Sequence, residues 1–225
     1  MLTRIYFTCV SPLADERLYR SLYTAASEER RQKTDRYRYL KDRMLSLGAE
    51  GLLLYALRKA GRGREAIAYR YGEHQKPYLS DADGFFFNLS HAGEVAMLAV
   101  SDAEVGCDVE RIRPVDRKLF TRVLTADERS VLTAAPKEER DALFFRYWVL
   151  KESCMKALGK GLSLDPKSFS LTFDPAIRAS GAGISRPLAF ADGAFSDCRY
   201  AVCRSGEDIR IQTEIVPIEE ISGGI

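Results

Sequence analysis

Soft metal ligands are scarce in this sequence. It has two histidines, His74 and His91, and five cysteines, Cys9, Cys107, Cys154, Cys198 and Cys203, with no C-x-x-C pair among them. A zinc site needs clustered nitrogen and sulfur ligands, so a zinc protein is disfavoured. An odd, scattered set of cysteines is a poor disulfide framework and reads as reduced thiols in the cytoplasm. Long apolar runs are missing too. LLLYAL at 52–57 falls far short of the roughly 20 residues that cross a bilayer. In MLTRIYFTCVSPLADE the apolar run after Arg4 is too short for a secretory signal, and no small-residue cleavage site follows. Net charge is only +2, so no global field selects a nucleic acid or a membrane. No Walker-type glycine loop is present.

What is present is ample core-forming material, 46% apolar and 29% charged, enough for one large domain or two small ones. RIYFTCV reads as a first strand. The segment from Ser27 to Gly61 reads as helix, N-capped by Ser27 and broken once near Arg38–Asp42. IAYRYGEHQKPYL is strand-like. Strands are expected at 85–89, 95–100 and 105–110, with SHAG as the turn after the first. RIRPVDRKLF reads as a basic connector. Helices then start at Thr125 and Pro136, followed by four strands of a second sheet. Helix-plus-sheet units thus occur twice, which predicts an α+β fold of two similar halves, residues 1–110 and 111–225.

Three constellations carry chemistry. In GCDVE, strand alternation sends Cys107 and Val109 to a core and Asp108 and Glu110 together to the other face. Such a pair is either a solvated strand face or a seat for a hard cation such as Mg²⁺. In YWVLKESCMKALGKGL, Glu152 and Lys156 share a helix face four residues apart, with Trp148 one turn earlier. They form either an ordinary surface ion pair or a metal-and-phosphate site, and the greasy turn before them favours charges that are bound to something. In NLSHAG, Ser90 and His91 either cap a turn or bond a phosphate. Their adjacency does not suit a Ser-His-Asp triad. Arg30, Lys33, Arg43 and Lys76 add positive charge, each either to a solvated face or to an anion site.

In the order KPY, NLSHAG, GCDVE, FFRYWVLKESCMKALGKGL, these pieces closely resemble the Sfp-type 4′-phosphopantetheinyl transferases. The resemblance runs from about Lys33 to Phe173. It implies transfer of the phosphopantetheine arm of coenzyme A to a serine of an apo acyl or peptidyl carrier protein, releasing adenosine 3′,5′-bisphosphate. By position it implies Asp108, Glu110 and Glu152 as ligands of Mg²⁺, with Mn²⁺ possible. Glu152 is also implied as the general base, Lys156 on the diphosphate, and Ser90 with His91 on phosphate. Lys76 is implied near the nucleotide, Arg30 and Lys33 at the 3′-phosphate, and Arg43 at a further basic position. Lys151, on an adjacent helix face, is expected to meet a CoA phosphate too. Where the family often has serine after the histidine, this chain has Ala92.

The carrier proteins of that family are acidic, so RIRPVDRK (111–118) and the segment after Gly161 are expected to receive one. A cytoplasmic monomer, with no nucleic-acid or membrane partner, is the expectation. The rivals are a non-catalytic CoA- or nucleotide-binding module on the same fold, a nucleic-acid binder suggested by RRQKTDRYRY, and another Mg²⁺-dependent phosphotransferase. The complete set of three acids argues against the first, and the near-neutral charge against the second.

Overall fold

A strand covered on both faces carries a continuous apolar run, and β1 (Leu2–Cys9) does so: Ile5, Tyr6 and Phe7 are all buried. The structure is a computed structural model that describes residues 2–81 and 84–224. After β1 come α1 (Glu16–Ala25), capped by Asp15 accepting from Arg17 N and Leu18 N, and α2 (Glu28–Asp35), capped by Ser27. The helix α3 (Leu40–Lys59) is buried at every residue from Met44 to Leu57. A hairpin of β2 (Tyr69–Tyr71) and β3 (Pro77–Leu79) follows. Then come β4 (Phe86–Ala92), β5 (Val95–Ser101) and β6 (Val105–Arg111).

The second part opens with α4 (Arg117–Val123), which begins inside the expected connector, and α5 (Ala126–Ala134). A reciprocal capping box of Thr125 and Glu128 starts α5. The long helix α6 (Arg140–Ala157) follows, then a small hairpin of β7 (Ser170–Thr172) and β8 (Arg178–Ser180). The chain closes with β9 (Leu188–Phe195), β10 (Cys198–Ser205), β11 (Arg210–Ile215) and α7 (Ile218–Gly223).

Two sheets result, in the orders β11-β1-β5-β4 and β6-β10-β9. Their inner faces meet through Ile5, Phe7, Met97, Cys107, Val109 and Val202, with Phe7 stacked on Phe195 at 4.5 Å. The helix α3 covers the outer face of the first sheet, and α6 covers that of the second. The class is α+β, and the pairing of one long helix with one sheet, twice, is consistent with halves of like construction.

The halves in space are not the halves in sequence. The strand β6 lies before residue 111, yet it pairs with β10 in the second sheet. The strand β11 returns to pair in parallel with β1, and Val216, Ile218 and Ile221 fill the first core. The second sheet therefore has three strands rather than the four expected after Pro136.

Candidate active site

The site forms at the seam where the edge strands β4 and β6 run side by side without a shared backbone ladder. Buried amides on such an edge still need partners. Side chains of β4 supply them: Asn88 Oδ1 accepts from Cys107 N at 2.9 Å, and Ser90 Oγ from Val109 N at 3.3 Å. Ser90 and His91 therefore sit on a strand, not in the turn expected for them. The turn falls later, at Gly93 with its φ of 60°.

Strand alternation puts Cys107 and Val109 in the core, as expected, and turns Asp108 and Glu110 toward α6. The helix lies close to β6 because residue 106 has no side chain. A Cβ there would stand 2.1 Å from Ser153 O and 2.3 Å from Ala157 N. This contact brings Glu152 and Lys156 over the two acids. Lys156 Nζ donates to Asp108 Oδ1 at 2.7 Å and to Cys107 O at 3.1 Å. Ser90 Oγ donates to the same Oδ1 at 2.8 Å. Glu110 accepts from Trp148 Nε1 and from the Arg113 guanidinium, both at 3.3 Å.

The other oxygen of Asp108, Oδ2, is buried with no hydrogen-bond partner. A buried carboxylate oxygen left bare is costly, and a cation is the natural complement. The neighbouring acids feel the same charge. Burial, and then the Asp108 carboxylate, push the pKa of both Glu110 and Glu152 above the usual glutamate value. Among the described residues no three acidic, histidine or cysteine side chains stand as a ready-made ligand group. The oxygen-only donor set nevertheless fits a hard divalent ion that keeps water ligands.

Positive charge flanks the acids. Loss of hydration works against the Lys156 ammonium, but Asp108 more than offsets it and raises its pKa. His91 lies within the field of Lys156, Lys33 and Arg30; reduced hydration first, and those cations next, lower its pKa. The structure thus brings together Asp108, Glu110, Glu152, Lys156, Ser90 and His91, with Arg30 and Lys33 beside them.

Three expected residues stand apart. Lys151 is fully buried on the other side of α6, where Nζ donates to Pro166 O at 2.7 Å and Phe169 O at 2.8 Å and pairs with Glu128 at 3.0 Å. It cannot meet a CoA phosphate, because one residue along a helix turns the side chain by about 100°. Lys76 is buried near the start of β6, paired with Glu104 at 2.6 Å and bonded to Val105 O. Arg43 donates to Tyr37 O and braces the break between α2 and α3. Sequence reasoning passed over Asn88 and Glu50. An acid amid the apolar run of α3 was the available signal for Glu50.

Comparison with known proteins follows the same residues. The family model of the 4′-phosphopantetheinyl transferase superfamily matches residues 104–203. A 4′-phosphopantetheinyl transferase of Bacillus pumilus is 33% identical over 171 residues, covering 74% of this chain and 73% of its own. One from Bacillus subtilis strain 168 is 31% identical, covering 71% of each. A solved holo-[acyl-carrier-protein] synthase of Thermotoga maritima covers 47% of this chain and 64% of its own at 18% identity and a TM-score of 0.40, too partial a likeness to carry weight.

Proposed function

This chain belongs to the 4′-phosphopantetheinyl transferases, and on that premise we propose how its own residues move phosphopantetheine from coenzyme A to a carrier-protein serine. In the transfer, a bond forms between the serine Oγ and the β-phosphorus of CoA. The bond from that phosphorus to the bridging oxygen breaks, and adenosine 3′,5′-bisphosphate leaves. Reactions of this kind depend on positioning and charge neutralisation more than on covalent chemistry.

Asp108 offers Oδ2, and Glu110 and Glu152 flank it, as the ligands of Mg²⁺ or Mn²⁺. Bound there, the ion supplies Lewis-acid polarisation of the diphosphate. Lys156 and His91 neutralise charge on the diphosphate and its leaving group. Arg30 and Lys33 hold the 3′-phosphate. Glu152, whose carboxylate makes no hydrogen bond among the described residues and whose proton affinity is raised by burial, receives the serine proton. Glu152→Gln removes both of its roles. In Glu152→Asp an unchanged acidic limb of the pH–rate profile would exclude it as base.

The carrier docks on the exposed cationic segment 111–118. Beside it lies a cleft of about 270 Å³ with an apolar lining that includes Val115, Leu119, Phe144 and Trp148, bounded by Glu110 and Arg113. That combination suits an acidic helix with apolar side chains next to its serine.

One observation carries the residue assignment: Oδ2 of Asp108 is buried without a hydrogen-bond partner, in a site where the Asp108 charge helps raise the pKa of Glu110 and Glu152 and nearby cations lower that of His91. The test is intact-mass analysis of apo acyl and peptidyl carrier proteins incubated with CoA, Mg²⁺ and the protein. A gain of one phosphopantetheine, abolished by EDTA and by Asp108→Asn, is expected. Tight CoA binding with no mass gain would identify a binding module instead.

A further inference from the structure

The one carboxylate in the interior of α3 belongs to Glu50, and it is wholly buried. Four donors converge on it. Ser27 N reaches Oε1 at 2.6 Å, while Ser27 Oγ at 3.1 Å, Arg30 Nε at 3.0 Å and Tyr69 OH at 2.8 Å reach Oε2. No group of the Asp108 cluster touches it. A buried charge is costly unless fully paired, and here the four donors come from three pieces of structure: the cap of α2, its first turn, and β2.

The consequence falls on Arg30. Its side chain is largely buried, and the ion pair uses only Nε, so the guanidinium plane is fixed while its far end stays uncommitted to Glu50. Arg30, Lys33 and Lys156 all act as like charges on His91, so positive charge is crowded here. A negative charge beneath Arg30 holds the first of them in place. The same acid, already capped by four donors, is masked from any anion above.

We propose that Glu50 is the positioning residue of the CoA 3′-phosphate subsite. Through Ser27 it fixes the N-terminus of α2, and through Arg30 it aims that guanidinium at the phosphate. The proposal rests on the assignment of Arg30 and Lys33 to the 3′-phosphate made above. It adds that specificity for the 3′-phosphorylated donor depends on a residue that never touches the donor.

The test compares CoA with 3′-dephospho-CoA in steady-state transfer to an apo-carrier protein. In Glu50→Gln, KM for CoA is expected to rise about tenfold, the scale of a lost charge-assisted bond, with kcat kept within about twofold and KM for the dephospho donor almost unchanged. Arg30→Ala is expected to show the same signature, and the double variant no more than Arg30→Ala alone. Should Glu50→Gln fold poorly, Tyr69→Phe, which removes one donor and leaves the charge, is expected to shift KM for CoA alone, by a smaller factor. Equal losses with both donors in the two Glu50 and Tyr69 variants, or a fall in kcat alone, would make Glu50 a purely structural cap and overturn the proposal. A wild-type protein that treats the two donors alike, with Arg30→Ala silent, would instead refute the 3′-phosphate assignment beneath it.

Discussion

Replacing Gly106 by alanine tests the geometry of the site with the smallest change available. The added Cβ would lie 2.1 Å from Ser153 O, 2.3 Å from Ala157 N and 2.9 Å from Lys156 C. All three are backbone atoms, so no side chain can rotate away. To regain an ordinary contact near 3.5 Å, α6 must retreat from β6 by more than about 1 Å. The Lys156–Asp108 pair, now at 2.7 Å, would open by a similar amount. Overpacking of this kind costs about 1–3 kcal/mol. At this chain length a loss of about 2 kcal/mol lowers Tm by roughly 4–8 °C. Displacement of reacting groups by about 1 Å lowers turnover by roughly a hundredfold. Initial rates of holo-carrier formation by intact mass, beside a thermal melt, measure both. A Gly106→Ala protein with wild-type rate and wild-type Tm would refute the claim that this contact seats Glu152 and Lys156 over the acids.

Three further outcomes follow from the same geometry. Lys151→Met should strand the buried charge of Glu128 and cost about 3–5 kcal/mol in urea unfolding, with Glu128→Gln recovering part of it in the double variant; a midpoint within error of wild type would show the pair to be idle. His91 has a lowered pKa, so its contribution to stability is complete above the unfolded value of about 6.5 and is lost as pH falls from there through the lower folded value. A phosphate placed beside the ring reverses that field, so CoA binding near pH ~6.5 should take up protons; calorimetric heats that do not vary with buffer ionisation enthalpy would remove His91 from the phosphate site. Raising salt from about 50 to 500 mM should increase KM for an acidic carrier protein several-fold while leaving kcat nearly constant, and a salt-independent KM would argue against docking on the 111–118 segment.

The parts of the site legible in the sequence are those that follow from a local period. Alternation along β6 fixes that Asp108 and Glu110 share a face opposite Cys107 and Val109. The i, i+4 spacing fixes that Glu152 and Lys156 share a face of α6. What the period omits is the partner across the gap. Nothing in IRIQTEIV says that β11 pairs with β1 rather than with β10, since a strand pattern records its faces and not its neighbour. Lys151 illustrates the same limit. Next to Glu152 in sequence, it points into a different core, and its counter-ion Glu128 comes from the capping box of α5. The composition of SHAG predicts a turn at Ser90 and His91, yet pairing with β5 carries the strand on to Ala92. The charged segment after β1 contains α1, whose buried residues, Leu22 and Ala25, are too few to stand out among its charges.

The buried charges sort by what satisfies them. Glu50 and Glu128 are closed: backbone amides and fixed side chains use their oxygens, and each ties separate pieces of chain together. Asp108 is open. Ser90 and Lys156 take one oxygen and leave the other bare, and after burial the Asp108 charge helps raise the pKa of Glu110 and Glu152. A structural acid gains nothing from an unpaired oxygen, because an added donor would stabilise it. An acid that must exchange a cation and a diphosphate gains from it, since a fully paired carboxylate would have to break bonds before binding. Lys156 fits the same logic. Its ammonium pairs with Asp108 at 2.7 Å and acts on His91, so on the proposed reading it stands ready for the phosphates of the donor. The difference between closed and open acids, both carried on elements of the same two cores, separates what holds this fold together from what the fold presents to its substrate.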